Sequence, residues 1–352
     1  MEQRAWKKQL AEQETLYKSA GTKILVAGHS YVIEDPFLGK PVMDVLRKLN
    51  VTPIRADITE RESDSKRSTI LSPTIKWELN REIVGSLMAN KSKVDGIILL
   101  AGLLPANATA DLETEDNAAD YFKVNVIGLI NVLEWARKHG VNKVISTCSY
   151  SDVSGAWGKG YPITEEEPRD FKFTGDHAVY VISKNAANDV MEYYNQQHGM
   201  QCSCFRFPPV YGVGPHGTIM VNGKPYKSGI QTFIEKAEAG ENIELWGDPH
   251  ISRDIIYVKD VAKAFEMALQ SDKTYGLYNM TSGVGLDLED QAKAVIDVFG
   301  PNSGSKIVYR PDKPNNTPSF LYSMEKAKKD FGFVPEYTDY HAMMVDYKYE
   351  LD

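Results

Sequence analysis

Short continuous apolar runs alternate along this chain with longer stretches whose apolar residues recur at helical spacing. Lys23-Ile-Leu-Val-Ala-Gly28 is an apolar run closed by glycine and predicts a first buried strand. Val51-Thr-Pro-Ile-Arg-Ala-Asp57 predicts the next. Its Pro53 places it at a sheet edge or a strand start, because proline cannot donate to a ladder. Residues 58–73 are charged and loop-like, and Trp77–Met88 has a helical pattern. Asp95–Gly102 is a further strand, 120–134 a helix, and Val144–Gly155 a buried strand that ends in a cluster of hydroxyls. A long helix follows at 177–194, then Cys202–Pro215, a strand running into a loop. This alternation predicts an α/β fold, a doubly wound parallel sheet with a smaller lobe. Residues 1–21 predict an amphipathic helix with Trp6, Leu10, Leu16 and Tyr17 as its apolar face, packing on the body or merely solubilising it.

A length of 352 residues suits one large α/β domain plus that lobe. The chain is 42% hydrophobic and 25% charged and has no apolar run of 18 or more, so no membrane span is expected. The N-terminal residues lack the apolar centre of a signal peptide. Three cysteines, Cys148, Cys202 and Cys204, make no metal-ligand pattern, and so sparse a count fits a reducing cytoplasm. Cys202 and Cys204 alternate along a strand and read as core. A net charge of −8 without a basic stripe argues against nucleic acid as a partner.

The chemistry concentrates in 177–194. There Tyr180 and Lys184 stand four residues apart, on one helix face and one turn from each other. A phenol titrates near 10, and a nearby ammonium favours its phenolate, moving it towards a general base. The alternative is a Tyr and a Lys sharing a helix face by chance. Three features occur in this order: a hydroxyl-rich strand end, the Tyr-x-x-x-Lys helix, and the Arg206-x-x-Pro-x-Tyr-Gly212 strand end. Together they resemble the extended short-chain dehydrogenases/reductases, and within them the nucleotide-sugar epimerase/dehydratase branch.

That resemblance covers residues 99–352 and implies a Rossmann-like sheet, NAD as cofactor and a nucleotide sugar as substrate. It implies a nucleotide-binding domain of residues 22–211 plus 251–299 and a substrate lobe of 212–250 plus 300–352, with 1–21 as an added helix. Tyr180, Lys184, Asn125 and Ser149 take the catalytic positions; Thr147 and Ser151 compete with Ser149, because the loop is one residue longer than the common pattern. Asn125 can equally make a hydrogen bond at a helix kink. Gly28, Asp57, Leu100, Ala101, Gly102 and Pro208 fall at cofactor-binding positions, together with Tyr180 and Lys184. Arg253, within Arg253-Asp-Ile-Ile-Tyr-Val-Lys-Asp-Val-Ala262, and Arg310 fall where the family clamps a diphosphate; guanidinium forks suit phosphate, and surface salt bridges are the alternative. A homodimer is implied by the same analogy.

There are departures. Without a gap, Tyr31 and Glu34 stand where the family has its second and third glycines; with an insertion, Phe37-Leu-Gly39 aligns with the last part of the motif and the turn gains five residues. Either way Glu34 and Asp35 bring negative charge to the diphosphate cradle, so NAD binding is expected to be weak. A dehydratase would carry Asp-Glu after the catalytic hydroxyl; Tyr150-Ser151 there disfavours dehydration. Pro209 replaces a substrate-contacting asparagine. A second resemblance, over residues 20–100, is to a domain of CoA-substrate enzyme activases, the activators of 2-hydroxyacyl-CoA dehydratases. It rests on Gly28–Gly39, Leu46–Val51 and Lys76–Arg81, and implies a chimera joined near Asp95–Gly102, or a non-catalytic fusion with impaired cofactor binding.

Overall fold

The computed structural model describes residues 2–21, 23–27, 33, 39–48, 51–58, 96–100, 102–103, 118–213, 218–221, 224–315 and 318–351. The turn after Gly28, with Tyr31, Glu34 and Asp35, the predicted Trp77–Met88 helix, and Ala101 lie outside them.

Five strands and a sixth from the C-terminal half build one parallel sheet. They are β1 (Lys23–Ala27), β2 (Thr52–Arg55), β3 (Gly96–Leu99), β4 (Lys143–Ser149), β5 (Gln201–Phe207) and Gly276–Asn279. Their order in space is β2-β1-β3-β4-β5 and then Gly276–Asn279, every neighbouring pair parallel. Side chains on a strand alternate between faces, and the core divides accordingly. Leu25 goes to one face with Ile97, Val144 and Cys202, under Leu129, Leu133 and Trp135 of the Gly128–Lys138 helix and Met191 of Asp176–His198. Ile24 and Val26 go to the other with Ile98, Ile145 and Phe205, under Val261, Phe265 and Ala268 of the Val258–Gln270 helix. Helices thus cover both faces, which is why these strands read as unbroken apolar runs. The connection reverses between β1 and β3, and a doubly wound sheet opens its binding crevice beyond the strand ends at such a switch.

Pro53 lies in β2, the edge strand among the described residues, where its missing N–H interrupts nothing. The N-terminal helix, Glu2–Tyr17, docks at that edge. The Gln13 amide accepts from Arg55 N and donates to Arg55 O, both at 3.0 Å, and donates to Ile58 O at 3.3 Å. Its carboxamide occupies the ladder positions a further strand would take, so the helix closes the sheet edge rather than only coating a surface.

A second core gathers Ile234 and Ala237 of Gly229–Ala239, Ile243 and Leu245, Val295 and Val298 of Leu288–Phe299, and Met343, Met344 and Tyr347 of Tyr340–Leu351. It surrounds the parallel pair Ile243–Trp246 and Ile307–Arg310. Leu288–Phe299 belongs with the lobe, while Ala327 and Phe333 pack back onto the sheet side with Phe265 and Tyr278. Two aspartates of the Arg253–Ala262 segment tie the layers together. Asp254 accepts from Tyr322 N at 2.9 Å, and Asp260 accepts from Glu336 N and Tyr337 N at 2.8 and 3.0 Å. Among the described residues no helix is long and apolar enough to cross a membrane.

Candidate active site

Asn125, Lys184 and Gly102 gather at the carboxyl ends of β3 and β4, beside the helix that carries Tyr180. Ser149 is the last residue of β4 and Tyr180 and Lys184 project from Asp176–His198. Asn125 lies in a π-helical stretch, Phe122–Ile127, that interrupts an otherwise α-helical run. The wider turn aims Asn125 at the strand end. Its Oδ1 accepts from Leu103 N at 2.8 Å, and its Nδ2 donates to Leu103 O at 3.2 Å and to Ser183 Oγ at 2.9 Å. Ser183 Oγ in turn donates to the Tyr180 carbonyl at 2.7 Å. One asparagine therefore locks the end of β3 to the turn of helix that carries Tyr180.

Lys184 is buried, and its Nζ donates to Thr147 O at 2.9 Å and Thr147 Oγ1 at 3.4 Å. Thr147 thus holds the lysine instead of facing substrate. Burial pushes the Lys184 pKa down, disfavouring the ammonium. Tyr180 packs edge-on against Tyr121, centroids 6.4 Å apart, and burial first, then Cys148 and Tyr150, push its pKa up. Burial thus opposes the charged form of both groups. Ser149 is buried, its Oγ accepting from Ser151 N at 3.2 Å as the cap of the 3-10 turn Tyr150–Ala156.

NAD fits part of this arrangement. A Cβ on Gly102 would stand 3.3 Å from Lys184 Nζ and 3.5 Å from Asn125 Oδ1, so glycine leaves more room beside the β3 end than a side chain would. An ammonium has three N–H donors and Thr147 takes two, leaving one for a ribose hydroxyl. Leu100 is half-buried beside this end, and buried Pro208 follows β5. Asp57 differs from expectation. Its carboxylate is fully buried and gripped through both oxygens by Arg55, at 3.0 and 2.5 Å, so it is not presented free to a ribose. Gly28 and Ala101 lie outside the described residues.

The two arginines also differ. Arg253 is half-exposed, its guanidinium takes no hydrogen bond or ion pair among the described residues, and it acts electrostatically on Tyr150 and Tyr211. Arg310 is engaged, with Asp312 through Nε and Nη2 at 3.1 and 3.0 Å and with Glu244 at 3.2 Å. The surface-salt-bridge alternative describes Arg310. One buried charge pair went unpredicted. Arg206 donates to Asp152 Oδ2 at 2.7 Å and to Asn279 Oδ1 at 3.0 Å behind the β4 end. The signal was present: an arginine inside the apolar run Cys202–Phe207 needs a buried partner.

A sequence profile of the NAD dependent epimerase/dehydratase family matches residues 24–281. The chain belongs to that family. The match begins at β1, so one family accounts for the stretch that also resembled an activase domain. Among relatives of this epimerase/dehydratase family member is a putative UDP-glucose 4-epimerase of Methanocaldococcus jannaschii. It is 28% identical over 216 residues, 60% of this chain and 64% of that protein, so the alignment spans under two thirds of the relative. Two solved structures share the fold. The UDP-N-acetylglucosamine 4-epimerase of Bacillus cereus has a TM-score of 0.65 at 20% identity, covering 94% of this chain and 99% of its own. The UDP-glucose 4-epimerase of Brucella ovis, solved in complex with NAD, has a TM-score of 0.65 at 18% identity, covering 93% and 97%.

Proposed function

We propose that this family member is an NAD-dependent epimerase acting on a UDP-sugar through Tyr180, Lys184 and a neighbouring hydroxyl. The observation that carries the reading is the joint held by Asn125, which brings the Lys184 ammonium, the open Gly102 and the Tyr180 helix to one strand end. NAD, when bound, supplies a hydride acceptor and a cationic ring. Tyr180 takes the proton of a sugar hydroxyl, and Lys184 spends its third donor on the nicotinamide ribose. Because burial holds the Tyr180 proton on, the phenol becomes a base only when positive charge stands beside it, which couples proton transfer to a loaded site. Arg253, with no hydrogen-bond or ion-pair partner among the described residues, meets the diphosphate. Return of hydride to the opposite face inverts the carbon.

The test is Tyr180→Phe, assayed for interconversion of UDP-glucose and UDP-galactose. Turnover should fall at least about a hundredfold in a protein that still folds; unchanged turnover sinks the reading. NAD binding is expected to be weak, since Glu34 and Asp35 follow β1, and Glu34→Gly should tighten it about tenfold in a calorimetric titration. A homodimer fits the exposed Val124 and Ile127 on the Asn125 helix and Tyr193 on the Tyr180 helix, at 41%, 51% and 55% exposure; sedimentation at micromolar protein checks it. A cytoplasmic setting fits the three unpaired cysteines.

A further inference from the structure

We propose that Ser183 is a positioning residue of the active site: its hydroxyl fixes the roll of the Asp176–His198 helix and so aims the phenol of Tyr180. This rests on the epimerase reading above. Ser183 is fully buried, and its hydroxyl is engaged twice. It donates to the Tyr180 carbonyl at 2.7 Å and accepts from Asn125 Nδ2 at 2.9 Å.

With a carbonyl at one end, this chain of donors runs in one direction. The single O–H of Ser183 points to Tyr180, because a carbonyl has no proton to give. The Ser183 oxygen then offers Asn125 a lone pair, and the carboxamide turns its NH2 group towards it. That leaves Asn125 Oδ1 for the Leu103 N–H at 2.8 Å and the second amide hydrogen for Leu103 O at 3.2 Å. The orientation of Asn125 on the backbone past β3 is therefore set from the Tyr180 turn, through Ser183. The π-helical stretch Phe122–Ile127 brings Asn125 within reach of both.

Lys184, the next residue, anchors the same helix elsewhere. Its Nζ donates to Thr147 O on β4 at 2.9 Å. Neighbouring residues of a helix project about 100° apart, so the two anchors pull in different directions. One anchor is a pivot on which the helix can roll; two fix the angle. Tyr180 stands one turn before them and inherits that angle. A group about 6 Å from the helix axis moves about 1 Å for a roll of about 10°. A misplacement of that size costs up to about a hundredfold in rate. Without the Ser183 hydroxyl, Asn125 keeps both bonds to Leu103 and Lys184 keeps Thr147. The loss therefore falls on turnover and not on cofactor affinity.

The experiment compares Ser183→Ala with the parent, each saturated with NAD, in interconversion of UDP-glucose and UDP-galactose. Alanine keeps the helix and removes only the hydroxyl. The variant should lose about tenfold or more in kcat, with KM for UDP-glucose and the calorimetric Kd for NAD each within about threefold of the parent. Its thermal midpoint should fall by no more than about 4 °C, the scale of one buried hydrogen bond. Asn125→Asp sets an acceptor against the hydroxyl and turns the O–H away from Tyr180. Adding Ser183→Ala to it should cost less than about threefold more, because both changes break the same chain. Full turnover by Ser183→Ala overturns the proposal, as do losses that multiply in the double variant or that fall on NAD affinity instead of kcat. A larger drop in midpoint with kcat per folded molecule at the parent's value shows a role in stability alone and overturns it equally. A parent that turns over no UDP-hexose overturns the epimerase reading, and the proposal with it.

Discussion

Asp254 offers a measurement that separates what holds the substrate lobe in place from what performs chemistry. Its carboxyl is fully buried, and desolvation pushes its pKa up from 3.8 to about 7, against opposing hydrogen bonds from Thr281 and Tyr322 N. The folded protein therefore keeps this proton up to about pH 7, while the unfolded chain releases it near 3.8. Between those values the folded state binds more protons, so unfolding free energy falls as pH rises and levels off above about 7. Over the two units from pH 5 to 7 the loss is about 3 kcal/mol, at about 1.4 kcal/mol per unit. Asp254→Asn removes the titration and keeps the shape. Its Oδ1 still accepts from Thr281 and from Ser282, which stands 3.3 Å away, but its amide now faces Tyr322 N–H and leaves a buried donor unpaired. That costs about 1–3 kcal/mol. The variant should be less stable than the parent at pH 5 by this amount, and the gap should close or reverse by pH 8. Urea unfolding of both proteins at half-unit pH intervals measures it. A gap constant to within about 0.5 kcal/mol from pH 5 to 8 would refute a proton held on Asp254 in the folded state.

Lys184→Met should fold with an unchanged or higher thermal midpoint, since it removes a desolvated ammonium, yet bind NAD about tenfold or more weakly by calorimetry. Asp152→Ala should cost about 3–5 kcal/mol by leaving the Arg206 charge buried and unpaired, and Asp152→Ala with Arg206→Met should recover part of that loss in urea unfolding. Arg253→Ala should weaken UDP binding about tenfold, while Arg310→Ala should change it by less than about threefold, because Arg310 is already engaged by Asp312 and Glu244. Equal losses in the last pair would show that Arg310 exchanges its carboxylates for phosphate.

The sheet was legible because parallel strands covered on both faces must be apolar throughout, and Ile24–Val26 and Val144–Ile145 carry that signal without reference to distant sequence. Pro53 marked the edge for an equally local reason. What closes that edge was not legible. Gln13 pairs with the Arg55 backbone across 42 residues, and nothing in an amphipathic pattern distinguishes a glutamine that completes a ladder from one that faces water. Which core a C-terminal helix joins was not legible for a similar reason. Leu288–Phe299 has an apolar face that would suit either core, and only the partners it meets, Tyr340–Leu351 and Gly229–Ala239, decide which.

In the site, relative placement was legible and ionisation was not. Spacing placed Tyr180 and Lys184 on one face and order placed Asn125 beside them, since a helix turn fixes those relations wherever the helix lies. Ionisation depends instead on everything packed around the pair. Lys184 points to the Thr147 carbonyl, Tyr180 is packed against Tyr121, and burial opposes the charged form of each. The same distinction separates the two arginines. Both match a phosphate-clamping position, but Asp312, two residues after Arg310, takes up its fork, whereas Arg253 is followed by an aspartate whose carboxylate turns inward to Thr281 and Tyr322. With Asp254 turned into the core, the Arg253 guanidinium takes no hydrogen bond or ion pair among the described residues. A charge left unpaired at a site mouth destabilises the empty protein slightly and favours an anion that completes it.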